Sequence, residues 1–250
     1  MRTRIHLPVA NQCNLGCKYC GDMYAGKNVG EPGACKSIMK SDEAVKWFEE
    51  EYSRNPNLSV AGIAGPGEPL FNQETFETLE LLNQHFPNII KCISTNGIEL
   101  CSKIELLHQL HIDAVTVTIN SVNIDTLKKI YSFVWYENKK YYDDDMAEII
   151  YDSQRLGLMK LGKLDILTKI NIIYMEGINS EEIPSLVKKL KQYNMKYVNL
   201  IPIIPRAEMT DICTDKENFN KIKELVRKEV RMNSHCNRCA ADAVGKVMCS

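Results

Sequence analysis

The chain alternates between two hydrophobic patterns. Short apolar, β-rich runs recur at 4–10, 58–64, 88–94, 113–119, 168–174 and 197–203, each bounded by turn residues and followed by a segment of helical character. In 216–231 the apolar residues Phe219, Ile222, Leu225, Val226 and Val230 fall at steps of three and four, the stripe of an amphipathic helix. Ser41 ahead of Asp42 and Glu43 marks one helix start, and Ser102/Glu105 and Thr214/Glu217 have capping-box spacing. Strand–helix alternation repeated six times predicts an α/β fold with a parallel sheet. Six units are fewer than the eight of a closed barrel, so the expectation is a partial TIM barrel, an open (β/α)6 core. A flat doubly wound sheet is the alternative, and in both architectures ligands collect at the carboxyl ends of the strands. The run Ile201-Pro202-Ile203-Ile204-Pro205 reads as the end of the sheet. It divides the chain into a core at 1–205 and, at 206–250, one helix and a cysteine-bearing tail.

With 250 residues, 44% of them hydrophobic, the chain can bury a core of this size. Its 31 basic and 32 acidic side chains leave a net charge of −1, which argues against a nucleic-acid binder. No run approaches the roughly 18 apolar residues of a membrane span. Met1 is followed at once by Arg2, Arg4 and a strand-like run, which leaves no room for the apolar core of a secretory signal, so a cytoplasmic location is expected. The ten cysteines are too few for a disulfide scaffold, and reduced cysteines at short spacing point to metal or redox chemistry. They form two clusters, Cys13/Cys17/Cys20 and Cys236/Cys239/Cys249, with Cys35, Cys92, Cys101 and Cys213 between them.

The first cluster leaves the first strand directly, and Asn14 and Gly16 let the loop bend back on itself. Zinc takes four ligands, and no nearby fourth ligand completes such a site. A four-iron cubane held by three cysteines keeps one iron free for a small chelator. Gly65-Pro66-Gly67-Glu68 follows the second strand and exposes backbone groups to a ligand, unless it is an ordinary βα turn. Ser94-Thr95-Asn96-Gly97 and the residues from Thr116 to Asn120 end the third and fourth strands with hydroxyls and amides that suit a ribose and a carboxylate, or helix capping. Asn171 on the fifth strand is a weaker case. In the tail, His235 precedes the Cys236/Cys239 pair, a metal half-site that structural zinc would complete with Cys249 and a histidine. The aromatic run 131–136 with Tyr141 and Tyr142 reads as a lid or as aromatics packed under a long loop. Asp143, Asp144 and Asp145 read as a helix start, and Lys188, Lys189 and Lys191 as an exposed helix face. His85, His108 and His111 show no ligand spacing.

The spacing C-x3-C-x2-C, with the aromatic Tyr19 before the last cysteine, resembles the radical S-adenosylmethionine (SAM) superfamily. The resemblance implies that Cys13, Cys17 and Cys20 hold a [4Fe-4S] cluster and are the catalytic ligands. SAM then chelates the open iron through its amine and carboxylate, and one electron splits it to a 5′-deoxyadenosyl radical. Gly65, Gly67 and Glu68 resemble the motif that binds the SAM amine, and Tyr19, Thr95, Asn96, Thr118 and Asn120 are the other expected SAM contacts. Residues 4–10, 64–70, 92–97, 115–120, 130–131, 169–179 and 235–245 are similar, in order, to the NifB family of nitrogenase-cofactor maturases. That likeness implies two auxiliary [4Fe-4S] clusters, held by Cys236, Cys239, Cys92 and Cys35, and fused around a carbide drawn from a SAM methyl. It also implies a low-potential electron donor of ferredoxin or flavodoxin type, an iron–sulfur cluster donor and a cofactor-accepting assembly protein. Two departures stand out. Gly26 occupies the place of a family cysteine, and only twelve residues precede Cys13, where the family carries a histidine- and cysteine-bearing segment. Cys35, Cys249 and His6 are the stand-ins on offer. The competing readings are a radical SAM enzyme acting on an organic or peptide substrate with a permanent relay cluster, and a non-catalytic iron–sulfur scaffold.

Overall fold

The structure, a computed structural model, describes residues 3–21, 32–232 and 240–246. Six parallel strands carry the fold: β1 (Thr3–His6), β3 (Leu58–Ile63), β4 (Ile90–Thr95), β5 (Ala114–Thr118), β8 (Leu167–Tyr174) and β9 (Tyr197–Pro202). They lie side by side in the order β1-β3-β4-β5-β8-β9, so each new strand is added on the same side of the last. Right-handed crossovers in an order that never reverses put every connecting helix on one face. The doubly wound alternative needs a reversal and is thereby excluded. The sheet curls as an open (β/α)6 partial barrel.

The crossovers are α1 (Ser41–Arg54), α2 (Gln73–His85), α3 (Leu100–Gln109), α5 (Asp143–Leu161) and α6 (Ile183–Leu190). Alternation along each strand sends Ile5, Ile63, Ile93, Val115, Val117, Ile170 and Ile172 to the helix side, where they are buried with Phe48, Leu79, Leu107 and Leu186 in one core. The opposite, concave side is polar, and it holds the site described below. No helix among the described residues is long and apolar enough to cross a membrane.

Several local expectations need correction. Ser102 lies inside α3 and turns its hydroxyl back to the Glu99 carbonyl, because the helix already begins at Leu100. The cap of α7 (Lys216–Glu229) is Asp215 rather than Thr214, since a carboxylate accepts from Glu217 N–H and Asn218 N–H. Leu225, counted in the apolar stripe of α7, is exposed at 38%. The aromatic run is neither a lid nor loop packing. After α4 (Ile124–Ile130) it forms β6 (Tyr131–Tyr136), which turns through Glu137 and Asn138 into β7 (Lys139–Tyr141). Both turn residues have positive φ (47° and 61°), the conformation of a tight hairpin. β6 also pairs with β2 (Leu15–Cys17), in the middle of the cysteine loop, to make a second, three-stranded sheet. Finally, β10 (Val244–Lys246) returns from the tail and pairs antiparallel with β1 at the edge of the main sheet.

Ile170 sits fully buried on β8, between two neighbouring strands. Ile170→Ala is expected to cost about 2–5 kcal/mol of stability, the usual range for emptying such a site, read by urea denaturation.

Candidate functional site

The cysteine loop packs Leu15, Cys17 and Tyr19 against a small apolar cluster with Ile130, Tyr131 and Val134, and backbone hydrogen bonds to its neighbours set its shape. At its entry, Gly67 N–H donates to Ala10 O and Glu68 N–H to Gln12 O, both at 2.8 Å. In its middle, β2 pairs with β6, and Trp135 N–H donates to Asn14 O at 2.7 Å. At its exit, Lys18 N–H donates to Ile130 O and Glu208 N–H to Lys18 O, each at 3.0 Å, while Arg206 Nε donates to Tyr19 O at 3.2 Å. Two glycines permit the close approaches. A Cβ at Gly67 would lie 2.2 Å from Gln12 O, and one at Gly16 would lie 2.5 Å from the Phe133 ring.

Asn72 completes the entry clamp. Its Oδ1 accepts from both Asn11 N–H and Gln12 N–H at 3.1 Å, and its Nδ2 donates to Gln12 O (2.9 Å) and Glu68 O (2.7 Å). By sequence it reads as the cap of α2, yet its side chain makes no capping bond there. Glu68 is buried and equally committed: its carboxylate accepts from Leu70 N–H (3.1 Å), Thr95 Oγ1 (2.5 Å) and Asn96 N–H (2.6 Å). Burial pushes the Glu68 carboxyl up to about 7, against the opposing effect of these three donors.

Cys13, Cys17 and Cys20 all line one cavity of about 320 Å³ on the concave side of the barrel, and none is in a disulfide. Burial around the sulfur raises the Cys13 thiol to about 12, with the nearby Glu68 carboxylate adding to the shift. Burial also raises Cys17 well above its ordinary value, followed by repulsion from Cys20 and Cys13. Cys20 is raised by burial too, with Arg206 opposing. Three thiols that repel one another as thiolates, Cys13 and Cys20 open to solvent at the cavity and Cys17 partly covered, suit a multiply charged metal centre, which would reverse each shift. Within the loop, the Asn14 Nδ2 donor is buried without a partner, although Asn14 Oδ1 accepts from Asn96 Nδ2 at 2.8 Å. A free donor beside a thiolate set is the kind of group that sulfide ligands accept from.

The expected SAM-contact residues divide. Tyr19, Gly67, Glu68, Thr95, Asn96 and Thr118 line the cavity, whereas Gly65 and Asn120 do not. Asn120 is fully buried beside it, just past the carboxyl end of β5, where its Nδ2 donates to the hydroxyls of Tyr19 (3.1 Å) and Tyr131 (3.0 Å) and its Oδ1 accepts from Ile173 N–H (2.9 Å). The weaker candidate Asn171 also faces the cavity.

Among the expected auxiliary ligands, Cys92 lines the cavity and Cys35 does not. Cys35 is buried beside the returning tail, where Ala241 N–H donates to the adjacent Ala34 O at 2.7 Å. Cys236, Cys239, Cys249, His235 and Gly26 lie outside the described residues. His6 faces Cys92 across Gly62, where a Cβ would come within 2.8 Å of His6 Cδ2 and 3.1 Å of Cys92 Sγ. Its Nδ1–H donates to Ala240 O at 3.2 Å, which leaves Nε2 as a lone-pair donor. Burial lowers the His6 pKa to about 4, so the imidazole is in its neutral, metal-ligating form. A larger groove of about 810 Å³ lies outside the barrel, between α3, α5 and the β6–β7 hairpin, and contains none of these groups.

Sequence reading missed Asn72 and the orphan donor of Asn14, because a lone Asn near a helix start reads as a cap. It also passed over Lys169, which shares with Asn171 an inward row on β8 that the strand period makes visible.

Comparisons agree with this architecture. The family model of the Radical SAM superfamily matches residues 7–190. The chain is 37% identical over 247 residues to the FeMo cofactor biosynthesis protein NifB of Methanocaldococcus jannaschii, covering 98% of this chain and 82% of that protein. Against the protein of the same name from Klebsiella pneumoniae it is 33% identical, covering 97% of this chain but 53% of the relative. Among solved structures, Streptococcus suis SuiB superposes with a TM-score of 0.65 at 14% identity, over 93% of this chain and 49% of that one. The anSMEcpe structure with bound AdoMet gives 0.61 at 17% identity, over 90% and 62%. At these identities the structural likeness concerns the fold.

Two outcomes are expected here. Asn72→Asp, which exchanges two donors for a carboxylate facing two carbonyls, should cost about 2 kcal/mol or more and lower iron uptake at the cysteine loop, measured by denaturation and iron assay. For Glu68 the folded chain holds the proton more tightly than the unfolded one, so this group favours folding at low pH and the contribution is lost as pH rises through about 7. The stability of the cluster-free chain relative to Glu68→Gln should therefore fall between about pH 5 and about pH 8 in urea titrations.

Proposed function

The chain belongs to the radical SAM superfamily and, within it, to the NifB family, and from that premise we propose that it assembles an iron–sulfur cofactor precursor by radical chemistry on SAM. In this reading two auxiliary [4Fe-4S] clusters are the substrate. A methyl from one SAM is placed on cluster sulfur and a second SAM supplies the radical that takes one hydrogen from it; the two remaining hydrogens leave as protons, cluster iron supplies the electrons, and the clusters join, with further sulfur, around the resulting carbide. The observation that carries the reading is the meeting of two kinds of ligand in one cavity: the three-cysteine loop at its mouth, and Cys92 with the neutral His6 deeper in. A scaffold needs only the first kind.

The residues fit the resident cluster. Cys13, Cys17 and Cys20 would hold it, and the cubane supplies, when bound, an open iron for SAM and the electron that cleaves it. The protein's part is positioning. The β2–β6 pairing and the Asn72 clamp fix the loop, Tyr19 is held by Asn120 at the end of β5, and Glu68 keeps the strand-end residues Thr95 and Asn96 facing inward. Cys236 and Cys239, with Cys92, are the proposed auxiliary ligands, and Cys35 is a further proposed one. A ferredoxin- or flavodoxin-type donor, a cluster donor and a cofactor acceptor are the proposed partners.

Iron per chain after anaerobic reconstitution tests the reading: about twelve, three cubanes, is expected, and about four would leave room only for the SAM cluster. Cys17→Ala should abolish 5′-deoxyadenosine formation, since the cubane loses one of three anchors. Joint replacement of Cys236→Ala and Cys239→Ala should spare uncoupled SAM cleavage and stop product formation; an eight-iron product from that variant would refute the tail assignment.

A further inference from the structure

Interior positions of a (β/α) barrel are ordinarily filled by bulky branched apolar side chains. Here they are not. The inward row on β8 begins with Lys169 and Asn171, and the register sets Lys169 beside Thr116, which in turn pairs with Ser94. All four face the cavity, as does Arg4 on β1. Among the described residues the one carboxylate in the lining is Glu68, and three donors already engage it. Lys169 makes no ion pair and no hydrogen bond with any described residue, although it is half-buried. An ammonium that faces a cavity with no counter-charge among the described residues offers charge-assisted hydrogen bonds and Coulomb attraction to an incoming anion.

We propose that Lys169, flanked by Thr116 and Ser94 and supported by Arg4, is the floor of an anion-binding site that selects a compact, multiply charged inorganic anion. This deepens the reading given above and rests on it for the choice of substrate: an iron–sulfur unit with sulfide and thiolate ligands is anionic, and Lys169 pairs with Thr116, one inward position deeper than Thr118 and the strand-end residues expected to contact SAM. A free inorganic oxyanion shares the same chemistry.

The test uses the anaerobically reconstituted full chain, with Lys169→Gln and the charge-conserving Lys169→Arg. Iron per chain and calorimetric titration with inorganic sulfate are measured in parallel. Lys169→Gln should weaken sulfate binding about tenfold or more, and Lys169→Arg should restore it. Iron above the first four lost in Lys169→Gln and kept in Lys169→Arg identifies an iron–sulfur unit as the anion; weaker sulfate binding with iron unchanged identifies an oxyanion. Should Lys169→Gln fall below four irons, its fold is compromised, and Thr116→Val, which removes one flanking hydroxyl, decides by the same two readouts. Unaltered iron and unaltered sulfate affinity overturn the proposal. Lys169-dependent sulfate binding by a wild-type chain holding only about four irons would sink the auxiliary-cluster reading and leave the anion floor standing.

Discussion

A loop that carries three thiols to one point must be fixed to its neighbours, and here backbone hydrogen bonding does so on both sides, with Leu15 packed in a small apolar cluster. The loop is stitched to the Gly65–Asn72 turn on one side and to β6 on the other, with Asn72 satisfying both strands of the first seam. The constraint propagates. Because Glu68 lies in the same seam and accepts from Thr95 and Asn96, the ends of β3 and β4 are fixed to the cysteine loop as one unit. Glycine is required where backbone meets backbone, at Gly67, and where an aromatic edge meets β2, at Gly16.

The polar interior of the barrel depends in turn on what lies outside it. A concave face lined by Arg4, His6, Lys169 and Asn171 contributes little hydrophobic stabilisation, so the layer between sheet and helices must supply the core. The strict alternation on β8 shows the division: Thr168, Ile170, Ile172 and Tyr174 are buried, while Lys169, Asn171 and Ile173 face the cavity.

The parts of this fold visible in the sequence are those with a long period. All six parallel strands fall on the apolar runs, because a buried parallel strand needs a continuous β-rich segment. β2 and β10, three residues each, have no period to read, and their pairing partners are remote in the chain. The β6–β7 hairpin escaped because its turn is Glu137-Asn138 in place of a glycine-bearing pair, so the aromatic run looked like a loop. The cysteine spacing made the cluster loop plain. The Asn72 clamp was hidden, because a capping position and a tertiary clamp have the same local sequence; Lys169 was passed over because one lysine in an apolar strand attracts no motif.

Enzyme and scaffold place different demands on such a cavity. A site that only stores a cluster has no need for ordered groups beyond its ligands. In this cavity the three thiols are accompanied by a buried carboxylate at Glu68 that accepts three hydrogen bonds, a hydroxyl pair at Tyr19 and Tyr131 held by Asn120, and a neutral imidazole with its tautomer fixed by Ala240 O. Each costs desolvation that the fold must offset elsewhere. Preorganised polar groups around a water-poor space are what radical generation requires, since they orient reactants without reorganising at the moment of reaction. The expense of this polar interior thus argues for catalysis over storage, independently of the cysteine motif.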